Sequence, residues 1–214
     1  MPTPVELVIF DLGRVMIRLV DGWKHACELV SVPYVPGFDV PDADQRKRVL
    51  HEVLRFETGQ LTHEQWCDET STLTGMPAEH IDKVLRTWIL DPFPGYDDFL
   101  DELHSKGYKT ACLSNTNATH WHMMIEKPGR QLLPLKRMHW QFASHLIRAA
   151  KPEAAIYEHV ERVTGVQPAR IVFFDDLADN IAGAAARGWH AVRIEPEPDP
   201  VTQARTALRK LGAL

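Results

Sequence analysis

Four segments of this 214-residue chain set polar groups hard against apolar runs. Asp11 follows the run at 5–10. Ser114 and Asn115 open the tetrad Ser114-Asn115-Thr116-Asn117 after the run at 108–113. Lys151 stands before Pro152 and a helical pattern. Asp175 and Asp176 follow the run at 171–174, with Asp179 and Asn180 close behind. Taken singly, an acid after a strand is commonly a turn residue or cap. Ser-Asn-Thr-Asn is commonly a turn, and a single lysine is commonly solvated. Two adjacent acids are harder to dismiss, because they repel each other in a cleft unless a cation or partner offsets them. Together the four segments point to phosphoryl chemistry. Carboxylates without a His or Cys partner suit a hard cation such as Mg²⁺. A carboxylate can also attack phosphorus and form an aspartyl-phosphate. Ser114, its neighbouring amides and Lys151 suit the phosphoryl oxygens as charge shifts in the transition state.

Such groups converge only if the strands that carry them lie side by side. The runs at 5–10, 108–113, 171–174 and 191–194 lack clean alternation, as expected of strands covered on both faces. Helical patterns separate them: 97–106 stopping at Gly107, 152–163 with Pro152 in its first turn, and 180–187 ending at Gly188. Strands alternating with helices predict an α/β fold with a parallel sheet and right-handed crossovers. Residues 21–91 differ, with helices expected at 44–56, from the capping box Thr62-His63-Glu64-Gln65 toward Gly75, and at 77–90. No strand is expected there. An insert after the first strand would overhang the carboxyl ends of the sheet, where open α/β sheets bind ligands. The segment 195–200, Glu-Pro-Glu-Pro-Asp-Pro, is expected to be an extended connector before a last amphipathic helix.

Lys and Arg number 24 against 29 Asp and Glu, a net charge of −5, so no basic face and no nucleic-acid partner is expected. No apolar stretch is long enough to span a bilayer, and the first residues lack the pattern of a signal peptide. Cys27, Cys67 and Cys112 are odd in number and widely spaced, which fits reduced thiols. The expectation is a cytoplasmic monomer or homodimer without a membrane partner.

The segments FDLGRV (10–15), LSNTN (113–117), KPEAAIY (151–157) and FFDDLADN (173–180) resemble, in order and spacing, the four motifs of the haloacid dehalogenase superfamily. The resemblance covers essentially the whole chain. Within the superfamily these motifs are similar to those of bacterial sugar-phosphate phosphatases of the α-D-glucose-1-phosphate phosphatase type, and of the N-terminal phosphatase domain of soluble epoxide hydrolases. It implies a Rossmann-like three-layer sandwich, with residues 1–20 and 92–214 as the core domain and 21–91 as a small helical cap. It also implies a Mg²⁺-dependent phosphatase acting on a small-molecule phosphate ester. Asp11 would be the nucleophile and a Mg²⁺ ligand, and the backbone carbonyl of Gly13 a second ligand. Asp176 would bind Mg²⁺ directly, and Asp175 directly or through water. Ser114 and Asn115 would bind the phosphoryl group, Lys151 would offset charge on nucleophile and phosphoryl oxygens, and Asn180 would meet the substrate at the rim.

One departure matters. Most phosphatases of this superfamily carry Asp two residues after the nucleophile, where it protonates the leaving oxygen, and here that position is Gly13. General acid–base help is worth about 10²–10⁴-fold. Three readings follow: a leaving group that needs little protonation, a substitute such as His25 or a water held by Asp175, or a protein that chiefly binds. Arg14, beside the nucleophile, is either an anion contact or a plain surface residue. A metal-free 2-haloacid dehalogenase is the further alternative, disfavoured by the acids Asp175 and Asp176. His120, His122, His139 and His145 match no zinc-ligand spacing. The stretch 121–142, with Lys127, Arg130, Lys136 and Arg137, is expected to be a solvated loop and helix. Trp23, Trp66 and Trp88 are expected to be core or interface residues, with Trp23 the best placed for substrate contact.

Overall fold

The computed structural model describes residues 4–35, 43–125 and 133–214. Lys127 and Arg130 lie outside the described residues. In chain order the elements are β1 (Leu7–Phe10), β2 (Ile17–Leu19), α1 (Gly22–Leu29), α2 (Ala43–Glu57), α3 (His63–Thr74), α4 (Ala78–Thr87), β3 (Ile89–Pro92), α5 (Tyr96–Ser105), β4 (Lys109–Ser114), α6 (Ala118–Ile125), β5 (Trp140–Ala143), α7 (Ser144–Ile147), α8 (Ala154–Thr164), β6 (Ile171–Asp175), α9 (Ala178–Ala186), β7 (His190–Arg193) and α10 (Pro200–Lys210). No helix among the described residues is long and apolar enough to cross a membrane.

Five strands form one parallel sheet in the order β5-β4-β1-β6-β7. Strand side chains alternate between faces. Val8 and Phe10 of β1 therefore join Phe99, Leu103 and Leu208 of α5 and α10 in one core. Leu7 and Ile9 join Ile156, Tyr157, Val160 and Ala184 of α8 and α9 in the other. This is a three-layer α/β sandwich: the alternation of runs and helices predicts its parallel sheet, and the family resemblance implies its three layers. Because β1 is central, its end is flanked by the ends of β4 and β6. The Asp11 amide extends the ladder by donating to the Phe174 carbonyl at 2.8 Å. Phe10 stacks on Phe174 with ring centroids 5.4 Å apart and meets Tyr96 and Phe99 edge-on, which anchors the strand end.

Three expectations need correcting. Residues 121–142 are not simply loop and helix, because β5 lies there as an edge strand paired in register with β4 from Ala111↔Trp140 to Ser114↔Ala143. Strands also flank the helical insert: β2 and β3 pair antiparallel, so the chain leaves the sheet and returns to it along a two-stranded ribbon. Finally, α8 begins at Ala154 with Glu153 as its N-cap, so Pro152 precedes the first turn.

The helices α1 to α4 share a separate apolar cluster that includes Ala26, Phe56, Trp66, Ile81 and Leu85. The capping box at α3 forms as the sequence predicts. Thr62 Oγ1 accepts from the Gln65 amide, and Gln65 Oε1 accepts from the Thr62 amide. Gly75 ends the helix at φ 76°, a conformation that costs glycine little.

Candidate active site

Asp11, Ser114 and Asp175 stand at the carboxyl ends of three adjacent strands, β1, β4 and β6, and Lys151 reaches them from the loop before α8. All four are buried. Lys151 Nζ donates to Asp11 Oδ1 at 2.8 Å, to Asp175 Oδ2 at 2.6 Å and to the Leu113 carbonyl at 2.8 Å. An ammonium has three donors, so this lysine is fully satisfied. It also lies 5.3 Å from the Phe173 ring centroid. Burial alone would lower the Lys151 pKa. The two carboxylates outweigh it and raise the pKa, so the ammonium stays charged.

The acids are not equivalent. Asp175 is saturated with donors: Oδ1 accepts from the Leu177 amide at 2.8 Å, and Asn180 Nδ2 lies 3.0 Å from each oxygen. Asp11 keeps Oδ2 without a protein donor among the described residues, and Asp176 has no side-chain partner there. Burial pushes the Asp11 carboxyl up to about 7, against the pull of Lys151 and with the help of Asp175 and Asp176. Burial and the charge of Asp175 also raise Asp176. Oxygens of Asp11, Asp175 and Asp176 all lie within 4.8 Å of one another. Three carboxylates face one ammonium, an excess of negative charge that a divalent cation would neutralise. The donor set is all oxygen, which fits Mg²⁺. Among the described residues this is the one such group of three, and no histidine cluster joins it.

Three residues expected at the substrate sit differently. Asn180 is buried beneath Asp175 rather than at the rim, with its amide nitrogen committed to that carboxylate. Asn115 spends its side chain on the Lys151 backbone: Nδ2 donates to the carbonyl at 2.9 Å, and Oδ1 accepts from the amide at 2.8 Å. Any contact with a phosphoryl group from Asn115 would therefore come through its own backbone. His25 accepts from the Asp21 amide and is exposed, outside the cavity above the site. Arg14 sits at φ 60°, and its side chain lies 3.8 Å from exposed Asp21.

Above the strand ends lies a cavity of about 100 Å³ lined by Gly13, Leu19, Glu57, Ser114, Asn115 and His120 among others. A Cβ placed on Gly13 would come within 2.9 Å of Leu19 Cδ1. Leu19 of β2 thus fills the room beside Gly13. A second cavity of about 160 Å³ lies against the insert, walled by Trp23, Phe56, Trp66 and Trp88 and sharing Glu57, Trp88 and His120 with the first. Trp66 stacks on Phe56 at 4.9 Å and Trp23 lies 5.6 Å from Trp88, so these aromatics line a cavity as well as a core. The Trp66 Nε1–H is buried and has no hydrogen-bond partner among the described residues. Sequence reasoning missed Glu57, whose only signal was its place at the end of a helix facing the strand ends.

A parallel sheet with an acidic, lysine-bridged cluster at its central strand ends is the architecture of a hydrolase class. Residues 7–188 match the family model described as haloacid dehalogenase-like hydrolase, and the chain belongs to that family. A Mycobacterium tuberculosis protein named as a phosphatase is 27% identical over 98% of this chain and 96% of its own length. Mouse acyl-CoA dehydrogenase family member 10 is 27% identical over 97% of this chain, and the match spans only 19% of that longer protein. A HAD family enzyme from Bacteroides thetaiotaomicron, solved in complex with magnesium and inorganic phosphate, superposes with a TM-score of 0.72 at 24% identity, over 91% of this chain and 96% of that one. That likeness concerns the fold.

Proposed function

We propose that the protein is a Mg²⁺-dependent hydrolase of small phosphate monoesters, sugar phosphates foremost, acting through an aspartyl-phosphate on Asp11. The observation that carries this reading is the cluster of Asp11, Asp175 and Asp176 around Lys151 beside Ser114. The phosphatase name of the mycobacterial relative and the magnesium and phosphate in the Bacteroides structure support it. Residues 1–20 and 92–214 act as the catalytic core, and 21–91 as a cap that closes over the ester.

Asp11 Oδ2, the oxygen not bonded to Lys151, attacks phosphorus as the ester P–O bond breaks. Lys151 holds the other oxygen and so fixes the carboxylate plane. Asp11 and Asp176, with the Gly13 carbonyl, would hold Mg²⁺, and Asp175, whose oxygens already take four donor contacts, would meet it through water while supporting the site through Lys151 and Asn180. Bound there, the cation would neutralise the carboxylates and the phosphoryl oxygens so that two anions can meet. Ser114 Oγ and the amides that follow it receive the phosphoryl oxygens. The aromatic cavity takes the alcohol portion. Its aromatic walls suit the apolar face of a sugar ring.

The absent side chain at Gly13 favours a second reading, a phosphate-ligand binder with little turnover. A metal-free dehalogenase is the third, and the acid-rich cluster weighs against it. One assay separates them: phosphate release from a panel of monoesters, with and without Mg²⁺, beside Asp11→Asn. The expected result is Mg²⁺-dependent turnover that falls by about 10⁴-fold or more in the variant, while inorganic phosphate still binds. Binding of phosphate without turnover on any ester would favour the second reading. Halide release from 2-haloacids without metal would favour the third.

A further inference from the structure

We propose that Glu57, at the carboxyl end of α2, is the general acid and base of the reaction, donating a proton to the leaving oxygen and then accepting one from the hydrolytic water. The assignment rests on the phosphatase reading. An alkoxide is a poor leaving group, so cleavage of an ordinary alcohol ester calls for a proton donor at the bridging oxygen. The groups already placed at the strand ends do not supply one. Asp11 is the nucleophile. Lys151 has all three N–H bonds engaged. Asp175 is saturated by Lys151, Leu177 and Asn180. Asp176 belongs with the cation, and position 13 has no side chain.

Two side chains lining the cavity over Gly13 and Ser114 can titrate, Glu57 and His120. His120 is already committed. Its Nε2 lies 2.8 Å from the Leu85 carbonyl and its Nδ1 lies 3.2 Å from Asn117 Nδ2. Burial pushes the ring down to about 4, so it stays neutral and structural. Glu57 is the reverse. Its carboxylate has no hydrogen-bond or ion-pair partner among the described residues, yet the backbone beneath it is pinned. The Ser144 hydroxyl, itself buried, lies 2.5 Å from the Glu57 carbonyl and accepts from the Thr116 amide at 2.9 Å. That serine ties the end of α2 to the loop that carries Ser114 and Asn115. Two residues on, Gly59 runs against α7 so closely that a Cβ would lie 2.5 Å from the His145 carbonyl. A free carboxyl on a fixed backbone, in the wall between the cavity over the strand ends and the aromatic cavity, stands where phosphate and alcohol would join.

Burial also pushes the Glu57 carboxyl up to about 7, with Lys151 opposing, so both protonation states are accessible near neutral pH. The two steps balance. In the first, the Asp11 O–P bond forms, the ester P–O bond breaks, and its electron pair takes the Glu57 proton to release the alcohol. In the second, water oxygen bonds to phosphorus, its proton goes to Glu57, and the Asp11 O–P bond breaks to restore the carboxylate.

The test compares Glu57→Gln and Glu57→Asp with the wild type on a hexose phosphate and on p-nitrophenyl phosphate, with Mg²⁺. The second ester has a leaving group that departs without a proton. Glu57→Gln is expected to lose about 10²–10⁴-fold in kcat/KM on the hexose phosphate. On the nitrophenyl ester it should keep a burst of nitrophenol within about tenfold of wild type and accumulate phosphoenzyme, since the second step lacks its base. Glu57→Asp should recover part of the loss. Equal losses on both esters without phosphoenzyme accumulation, in variants that melt like wild type, would overturn the role, as would unchanged kinetics. If the wild type releases phosphate from neither ester in Mg²⁺, the phosphatase reading itself fails and this assignment falls with it.

Discussion

The floor and the roof of the site follow opposite rules. In the floor, polar atoms are buried and mostly spoken for. Lys151 meets three acceptors and Asp175 four donor contacts, while Asn115 bonds the lysine backbone twice. In the roof, the Trp66 N–H is buried with no protein partner, and the half-buried Glu57 carboxylate lines the cavity with none, among the described residues. A buried polar group left unsatisfied costs about 1–3 kcal/mol. The floor minimises that cost in the absence of ligand, and the roof tolerates it. The invariant end of a substrate can be met by a preorganised floor, whereas the variable end is met by groups that become satisfied only when it arrives.

Breaking the floor should have the largest effect. Lys151→Met leaves Asp11 and Asp175 buried without their cation, and is expected to cost about 3–5 kcal/mol in urea unfolding without Mg²⁺. Added Mg²⁺ should restore part of it. A loss under about 1 kcal/mol would mean the floor is not held together by its charges. A milder cut is Asn180→Ala, which removes the amide from both Asp175 oxygens. The Mg²⁺ concentration for half-maximal activity should rise about 10–100-fold, as for other residues that orient a metal site from behind. The smallest effect is expected in the roof. Trp66→Phe deletes the orphan N–H, so stability should hold or rise by about 1 kcal/mol, while KM for a hexose phosphate rises roughly 2–10-fold. A stability loss there, with KM unchanged, would place the aromatic wall in the core alone and end the contrast.

Floor and roof were also unequally legible in the sequence. Asp11, Ser114 and Asp175 stand out because each ends a strand that is apolar on both faces, and a parallel sheet brings such ends together. Lys151 was placed by its motif. What the motif could not say is which polar atoms point at each other. Asn115 and Asn180 therefore looked like substrate contacts, although their amides brace Lys151 and Asp175. The short strands β2, β3 and β5 escaped detection for a physical reason. They have three or four residues, and they carry polar or half-exposed positions such as Arg18, Asp91 and Gln141. Tertiary pairing decides such segments more than local pattern. Glu57 was invisible because a glutamate at the end of an amphipathic helix is ordinary. Its situation arises only when Ser144, far along the chain, fastens that helix end over the sheet.

Asn115 has one more consequence, for the kinds of change the chain can tolerate. Its amide imitates a strand neighbour, giving a donor to the Lys151 carbonyl and an acceptor to the Lys151 amide at once. Aspartate lacks the donor, glutamine carries one methylene too many, and serine offers a single atom for two jobs. Chemically near substitutions should therefore fail at position 115 nearly as badly as distant ones. A saturation scan scored by activity would then show a tolerance at position 115 nearly as narrow as at the nucleophile, although this side chain touches no reacting atom.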